Sequence, residues 1–113
     1  MMRFLVVALV VSLLSVTACA SGQFIPAQEA RALVKQGATL VDVRTPEEFA
    51  GGHIEGAVNI PIDDLEARKG ELKKDADLVL YCRSGARSER GKKVLLAVGF
   101  TKVHNLGGMS NWK

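Results

Sequence analysis

The sequence is poor in cysteine, in net charge and in long apolar runs, and each shortage removes a class of protein. Its two cysteines, Cys19 and Cys82, allow at most one disulfide, so cross-linking is not what holds the fold together. Fifteen Lys and Arg against 12 Asp and Glu give a net charge of only +3, too little to argue for a nucleic-acid partner. The longest apolar run, Phe4 to Val16, is broken only by Ser12 and Ser15 and is too short for a comfortable membrane span. Repeats and low-complexity segments are absent as well, and 113 residues leave room for one domain.

What is present begins with the pattern of an export signal: a short positive start, Met1-Met2-Arg3, followed by that apolar run. Val16-Thr17-Ala18-Cys19 resembles the lipobox of bacterial lipoproteins, in which the cysteine becomes the lipidated first residue. Ala18-Cys19-Ala20 also fits the small-x-small site of ordinary signal peptidase. The lipobox is preferred because it gives Cys19 a role. The expectation is an export signal over residues 1–19 and a folded domain over 20–113, residing in the periplasm or cell envelope, with a membrane tether through lipidated Cys19. Either processing route takes Cys19 out of play, so a disulfide with Cys82 is not expected and one free thiol remains in an oxidising compartment. Such a thiol calls for an explanation such as catalysis. Loss of Arg3 lowers the charge to +2, 14 basic minus 12 acidic residues.

Cys82 ends an apolar run, Leu78-Val79-Leu80-Tyr81, and opens a small and basic one, Arg83-Ser84-Gly85-Ala86-Arg87-Ser88. Apolar residues in succession fit a strand covered on both faces, as in a parallel sheet. Glu89 to Val98, closed by Gly99, has the pattern of a helix with a glycine stop. The thiol thus stands where strand hands over to helix, the place in open parallel sheets where helix N-termini and loop amides favour anions. Arg83, Arg87 and inward amides there favour the thiolate, which is the reactive form. Burial alone would give no reason for two arginines and a small-residue loop beside it. Arg90, Lys92 and Lys93 add to the local basic excess, although a solvated helix face accounts for the two lysines.

The rest of the chain alternates. Phe24-Ile25 reads as a short edge strand, and Pro26 suits the first turn of a helix over Ala27 to Gln36. Thr39 to Val43 is a strand, and Thr45-Pro46-Glu47-Glu48 after it is a capping box. Gly56 to Ile60 is a third strand, Ile62 to about Leu72 a mostly polar helix, and Lys102 to Leu106 a last strand. Strands alternating with helices predict an α/β fold, a three-layer domain with a mostly parallel, five-stranded central sheet flanked by helices.

Four stretches resemble the single-domain rhodanese-like sulfurtransferases: Leu40 to Phe49, Gly52-His53-Ile54-Glu55-Gly56-Ala57-Val58-Asn59-Ile60-Pro61, Tyr81 to Ser88, and Val103 to Trp112. Their order and spacing span nearly the whole mature chain. The resemblance implies that Cys82 is the catalytic nucleophile, attacking the sulfane sulfur of thiosulfate or a similar donor. Sulfite would leave, and the resulting persulfide would pass its sulfur to cyanide or a thiol. It implies that the amides from Arg83 to Ser88 steady the persulfide and that Arg83 and Arg87 hold the oxyanion end of the donor. No metal and no organic cofactor is implied, and the expected state is a monomer. Asp42 and Arg44, at the end of their own strand, are supporting candidates, read first as an ion pair that positions two loops and second as substrate contacts. His53, His104 and Trp112 read as structural. Family members usually continue past the tryptophan, so the last helix is expected to be short.

Two rivals differ in class. Phosphatases and arsenate reductases of the related fold separate cysteine and arginine by one residue more than the four between Cys82 and Arg87, giving a wider cradle for a tetrahedral anion. The narrower loop here is better matched to a single sulfur. The other rival is a persulfide carrier or binding module, for which loss of the cysteine would have been the sign; the cysteine is present.

Overall fold

The structure, a computed structural model, describes residues 23–113; the expected export signal and Cys19 lie outside the described residues. Four strands, β1 (Thr39–Asp42), β2 (Val58–Asn59), β3 (Leu78–Cys82) and β4 (Val103–Gly108), form one sheet in the order β2-β1-β3-β4. All neighbouring strands run parallel. β3, the most apolar segment, is central and buried along its whole length, as a strand covered on both faces requires.

Among the described residues the expected fifth strand is not formed. At Phe24-Ile25 a single ladder-like bond forms, from the Ile25 N–H to the Asn105 carbonyl at 2.9 Å. Helix α1 (Ala27–Lys35) then begins directly after Pro26, whose carbonyl accepts the Ala30 N–H at 3.0 Å, so the chain leaves the sheet edge. The expected polar helix from Ile62 to Leu72 is also replaced, by two 3-10 turns at Ile62–Asp64 and Lys69–Glu71. Only Leu65 and Leu72 of that stretch are buried, too sparse an apolar stripe to hold a continuous helix against the sheet.

Period-two alternation sorts β3 into the two faces. Leu78, Leu80 and Cys82 join Val41, Val43, Ile60, Leu65, Leu95 and Phe100 on one side; Val79 and Tyr81 join Leu40, Ala30, Ile54 and Leu106 on the other. The second face is covered by α1 with Met109 and Trp112 from the final 3-10 turn (Met109–Trp112). The first is covered by the long helix α3 (Ala86–Ala97), which buries Ser88, Gly91 and Leu95. At Gly91 a Cβ would stand 3.0 Å from Leu80 and 3.1 Å from Leu65, so the missing side chain is what lets α3 lie close on the sheet. Each fully buried Leu or Val adds about 1.5–3 kcal/mol relative to exposure, and these two layers fix where β1 and β3 end.

Candidate active site

β1 and β3 are adjacent, with Asp42 paired to Tyr81 in register. Their carboxyl ends therefore open onto one rim, and the loops that follow carry the chemistry.

After Cys82 the chain turns back at once. Gly85 adopts φ +108° and caps α3, a left-handed conformation that favours glycine. Because that cap falls at Gly85, α3 begins at Ala86, three residues before the helix start expected at Glu89, and Arg87 and Ser88 belong to its first turn. The turn lays the Gly85 N–H on the Cys82 sulfur, N to Sγ 2.9 Å, and brings the buried Ser88 hydroxyl to 3.4 Å from it. The same hydroxyl donates to the Gly85 carbonyl at 3.1 Å. Ser88 has one hydroxyl hydrogen for two acceptors: with a neutral thiol the S–H can donate to Oγ, and with a thiolate the hydroxyl can turn to sulfur.

Cys82 itself is fully buried. Burial pushes its thiol up, but the Ser88 hydroxyl and the amides of Ser88, Gly85 and Ser84 together outweigh it and hold the thiol below its ordinary value. Of the other expected loop residues, Arg83, Ser84 and Ala86 are exposed. The loop rests on β4, where Leu80 pairs with Asn105 but Tyr81 pairs with Gly107, leaving Leu106 as a bulge. A Cβ on Gly108 would stand 2.5 Å from the Arg83 carbonyl oxygen, so β4 approaches the loop backbone directly.

Arg87 does not reach freely into solvent. Its guanidinium makes two bonds to Glu48, at 2.6 and 2.9 Å. Glu48 also accepts from the Thr45 N–H at 3.1 Å, completing the capping box that starts helix α2 (Pro46–Ala50). The Arg87 bond first, and then the Thr45 N–H, hold the Glu48 carboxyl down to about 2. The positive charge beside the thiol is thus shared with a carboxylate, and Arg87, raised chiefly by Glu48, also feels the charges of Cys82 and Asp42.

Asp42 and Arg44 form a buried, forked ion pair with a closest contact of 2.7 Å. Arg44 also donates to the Gly52 carbonyl at 2.7 Å and lies over the Tyr81 ring, 5.7 Å from its centroid. This ties the end of β1 to the turn after α2. Tyr81, pushed up to about 12 by burial, accepts the Ile54 N–H at 3.1 Å and stays a neutral phenol. Of the two histidines, His53 stacks on Phe49 at 3.6 Å, and His104 pairs with Asp77 at 2.9 Å; neither is among the bonds to the Cys82 sulfur.

Several contributors carry little local signature in the sequence. In the sequence Glu48 has only the spacing of a capping residue; its bond to Arg87 joins residues 39 positions apart. Asn59 donates to the Asp42 and Arg44 carbonyls, both at 2.9 Å. Buried Asn105 accepts from the Gly107 N–H at 2.8 Å and donates to Glu89 at 3.1 Å, stapling the bulge to α3. The Gly107-Gly108 pair was the available signal for the bulge.

A thiol at the carboxyl edge of a parallel sheet, ringed by amides at a helix start, places the chain among α/β domains built around an activated cysteine. Residues 26–113 match the rhodanese-like domain family, and the chain belongs to it. It is similar to YqhL of Bacillus subtilis, described as uncharacterized, at 47% identity over 76 residues, 66% of this chain and 60% of that one. A sulfurtransferase of Allochromatium vinosum is 46% identical over 74 residues, 65% of this chain and 69% of the relative. Among solved structures, the human single-domain sulfurtransferase TSTD1 aligns with a TM-score of 0.70 at 31% identity, covering 79% of this chain and 93% of that one. The chain therefore spans about 60% to 70% of the length of these two curated relatives.

Proposed function

We propose that the chain is a sulfurtransferase that carries sulfane sulfur from a small anionic donor, thiosulfate or a close analogue, to cyanide or a thiol through a Cys82 persulfide. The Cys82 thiolate attacks the outer sulfur of the donor; the donor's S–S bond breaks and its electron pair leaves on sulfite. The acceptor then attacks the terminal sulfur of the persulfide, and Cys82 departs as a thiolate. Atoms and charge balance without an outside oxidant or reductant, as covalent double displacement requires.

The observation that carries this reading is the Gly85 N–H on the Cys82 sulfur at 2.9 Å, with Ser88 beside it. Preorganised donors of this kind steady negative charge on sulfur in both the resting thiolate and the persulfide. The exposed Arg83 side chain and the Arg87 guanidinium supply the positive charge for the donor's oxyanion end. Relatives described as sulfurtransferases support the reaction class. The apolar run ending in a lipobox-like sequence supports an exported, lipid-anchored protein, a proposal that labelling cells with a traceable fatty acid and looking for its loss in Cys19→Ala would test.

The experiment is a thiosulfate-to-cyanide transfer assay run beside aryl-phosphate hydrolysis. Parallel lines in a two-substrate plot, absent from Cys82→Ala, are expected. Phosphate-ester hydrolysis without sulfur transfer would end this reading.

A further inference from the structure

Phe24 lies outside every regular element, yet two independent glycines report its ring. A Cβ built on Gly85 would collide with Phe24, and one on Gly107 would stand 2.7 Å from it. Both glycines have positive φ, +108° and +91°. They belong to different elements: Gly85 is the turn whose N–H meets the Cys82 sulfur, and Gly107 follows the bulge of β4. The ring therefore bridges the active loop and the strand beneath it. Its backbone is held there by the Ile25 N–H bond to Asn105, whose side chain in turn accepts the Gly107 N–H. Phe24 is not buried for the sake of the core: 44% of it stays exposed.

We infer that Phe24 is a positioning residue of the active loop: its ring, laid on Gly85 and Gly107, clamps the turn so that the Gly85 N–H stays on the Cys82 sulfur. Without the ring, the space that a Cβ of Gly85 would enter is left unfilled and the glycine has no side chain of its own to restrain it. Glycine is the residue that gains most freedom when a restraint is lost, so the amide then spends less time on sulfur. The thiolate loses part of the stabilisation that offsets its burial. The charged neighbours, Arg83, Arg87 with Glu48, and Asp42, remain as they are.

The inference bears on the proposed nucleophile, but its test does not need sulfur transfer. Alkylation of Cys82 by iodoacetamide is followed against pH in the full chain, in Phe24→Ala and in Phe24→Leu. Leu96→Ala serves as the control, because Leu96 is equally exposed at 44% and lies at the far end of α3. The expected result is a profile moved to higher pH in Phe24→Ala, with the rate below the thiol pKa reduced roughly three- to tenfold. Phe24→Leu, which lacks the flat ring, moves the same way by less, and carries the test should Phe24→Ala not fold. Profiles of the Phe24 variants that coincide with the parent's, or an equal shift in Leu96→Ala, overturn the clamp. A parent chain that alkylates readily yet transfers no sulfur would count against the function proposed above and leave the clamp to be decided by the alkylation profiles alone.

Discussion

The ends of β1 and β3 lie side by side on one rim and are built by opposite means. At the end of β3 the work falls to uncharged groups: a glycine turn, amides at a helix start and the Ser88 hydroxyl gather around Cys82 within six residues. At the end of β1 it falls to side-chain charge, with the Asp42–Arg44 pair buried and the Glu48–Arg87 pair about a quarter exposed. A cradle of amides and a hydroxyl can hold charge on sulfur without titrating itself. Ion pairs hold the loops in place, and their cost of removal depends on how far they are from water.

Breaking the buried pair should have the largest effect on stability. Asp42→Ala leaves Arg44 charged and unpaired in the interior, and a loss of about 3–5 kcal/mol is expected in urea unfolding. A change within error would show that the pair does not join the two loops.

Ser88→Ala tests the cradle. Removing the hydroxyl raises the Cys82 thiol toward the value that burial alone would impose, so the alkylation profile moves to higher pH. A shift of one unit lowers the rate at acid pH about tenfold, with unfolding changed little. An unmoved profile would mean that the amides alone hold the thiolate.

The partly exposed Glu48–Arg87 pair should matter least to stability and more to the donor. Arg87→Ala is expected to raise the thiosulfate KM roughly fivefold with kcat nearly kept, whereas Glu48→Gln, which releases the guanidinium, should lower KM by a smaller factor. Arg83→Ala should be milder than Arg87→Ala, and equal activity with Arg87 removed would refute its assignment. Glu48→Gln should cost about 1 kcal/mol or less. Because the Glu48 carboxyl is lowered from 4.5 to about 2, that contribution is whole above pH 4.5 and disappears as pH falls through about 2. The difference between parent and variant should close over that window in acid titrations of stability.

The same contrast explains what was legible in the sequence. The cradle is local: Leu78 to Ser88 carries strand, thiol and turn in one stretch, and Thr45 with Glu48 spells its capping box in four letters. What escaped depends on distant partners. Nothing near Glu48 announces Arg87, and nothing near Phe24 announces Gly85. In sequence, polar Arg87 and Ser88 look like loop, whereas a left-handed Gly85 makes them the first helical turn, so the helix starts earlier than its pattern suggests. The fifth strand is missing for a local reason: α1 starts directly after Pro26, which leaves Phe24-Ile25 one bond on β4.

The central claim is that the cradle stabilises a second sulfur on Cys82, and intact-mass spectrometry of the protein after exposure to thiosulfate tests it most directly. The account predicts one added sulfur, ~32 Da, on the parent chain, removed by cyanide and absent from Cys82→Ser, as a covalent intermediate demands. An unchanged mass for the parent under conditions where sulfur is transferred, or the same addition on Cys82→Ser, would contradict it.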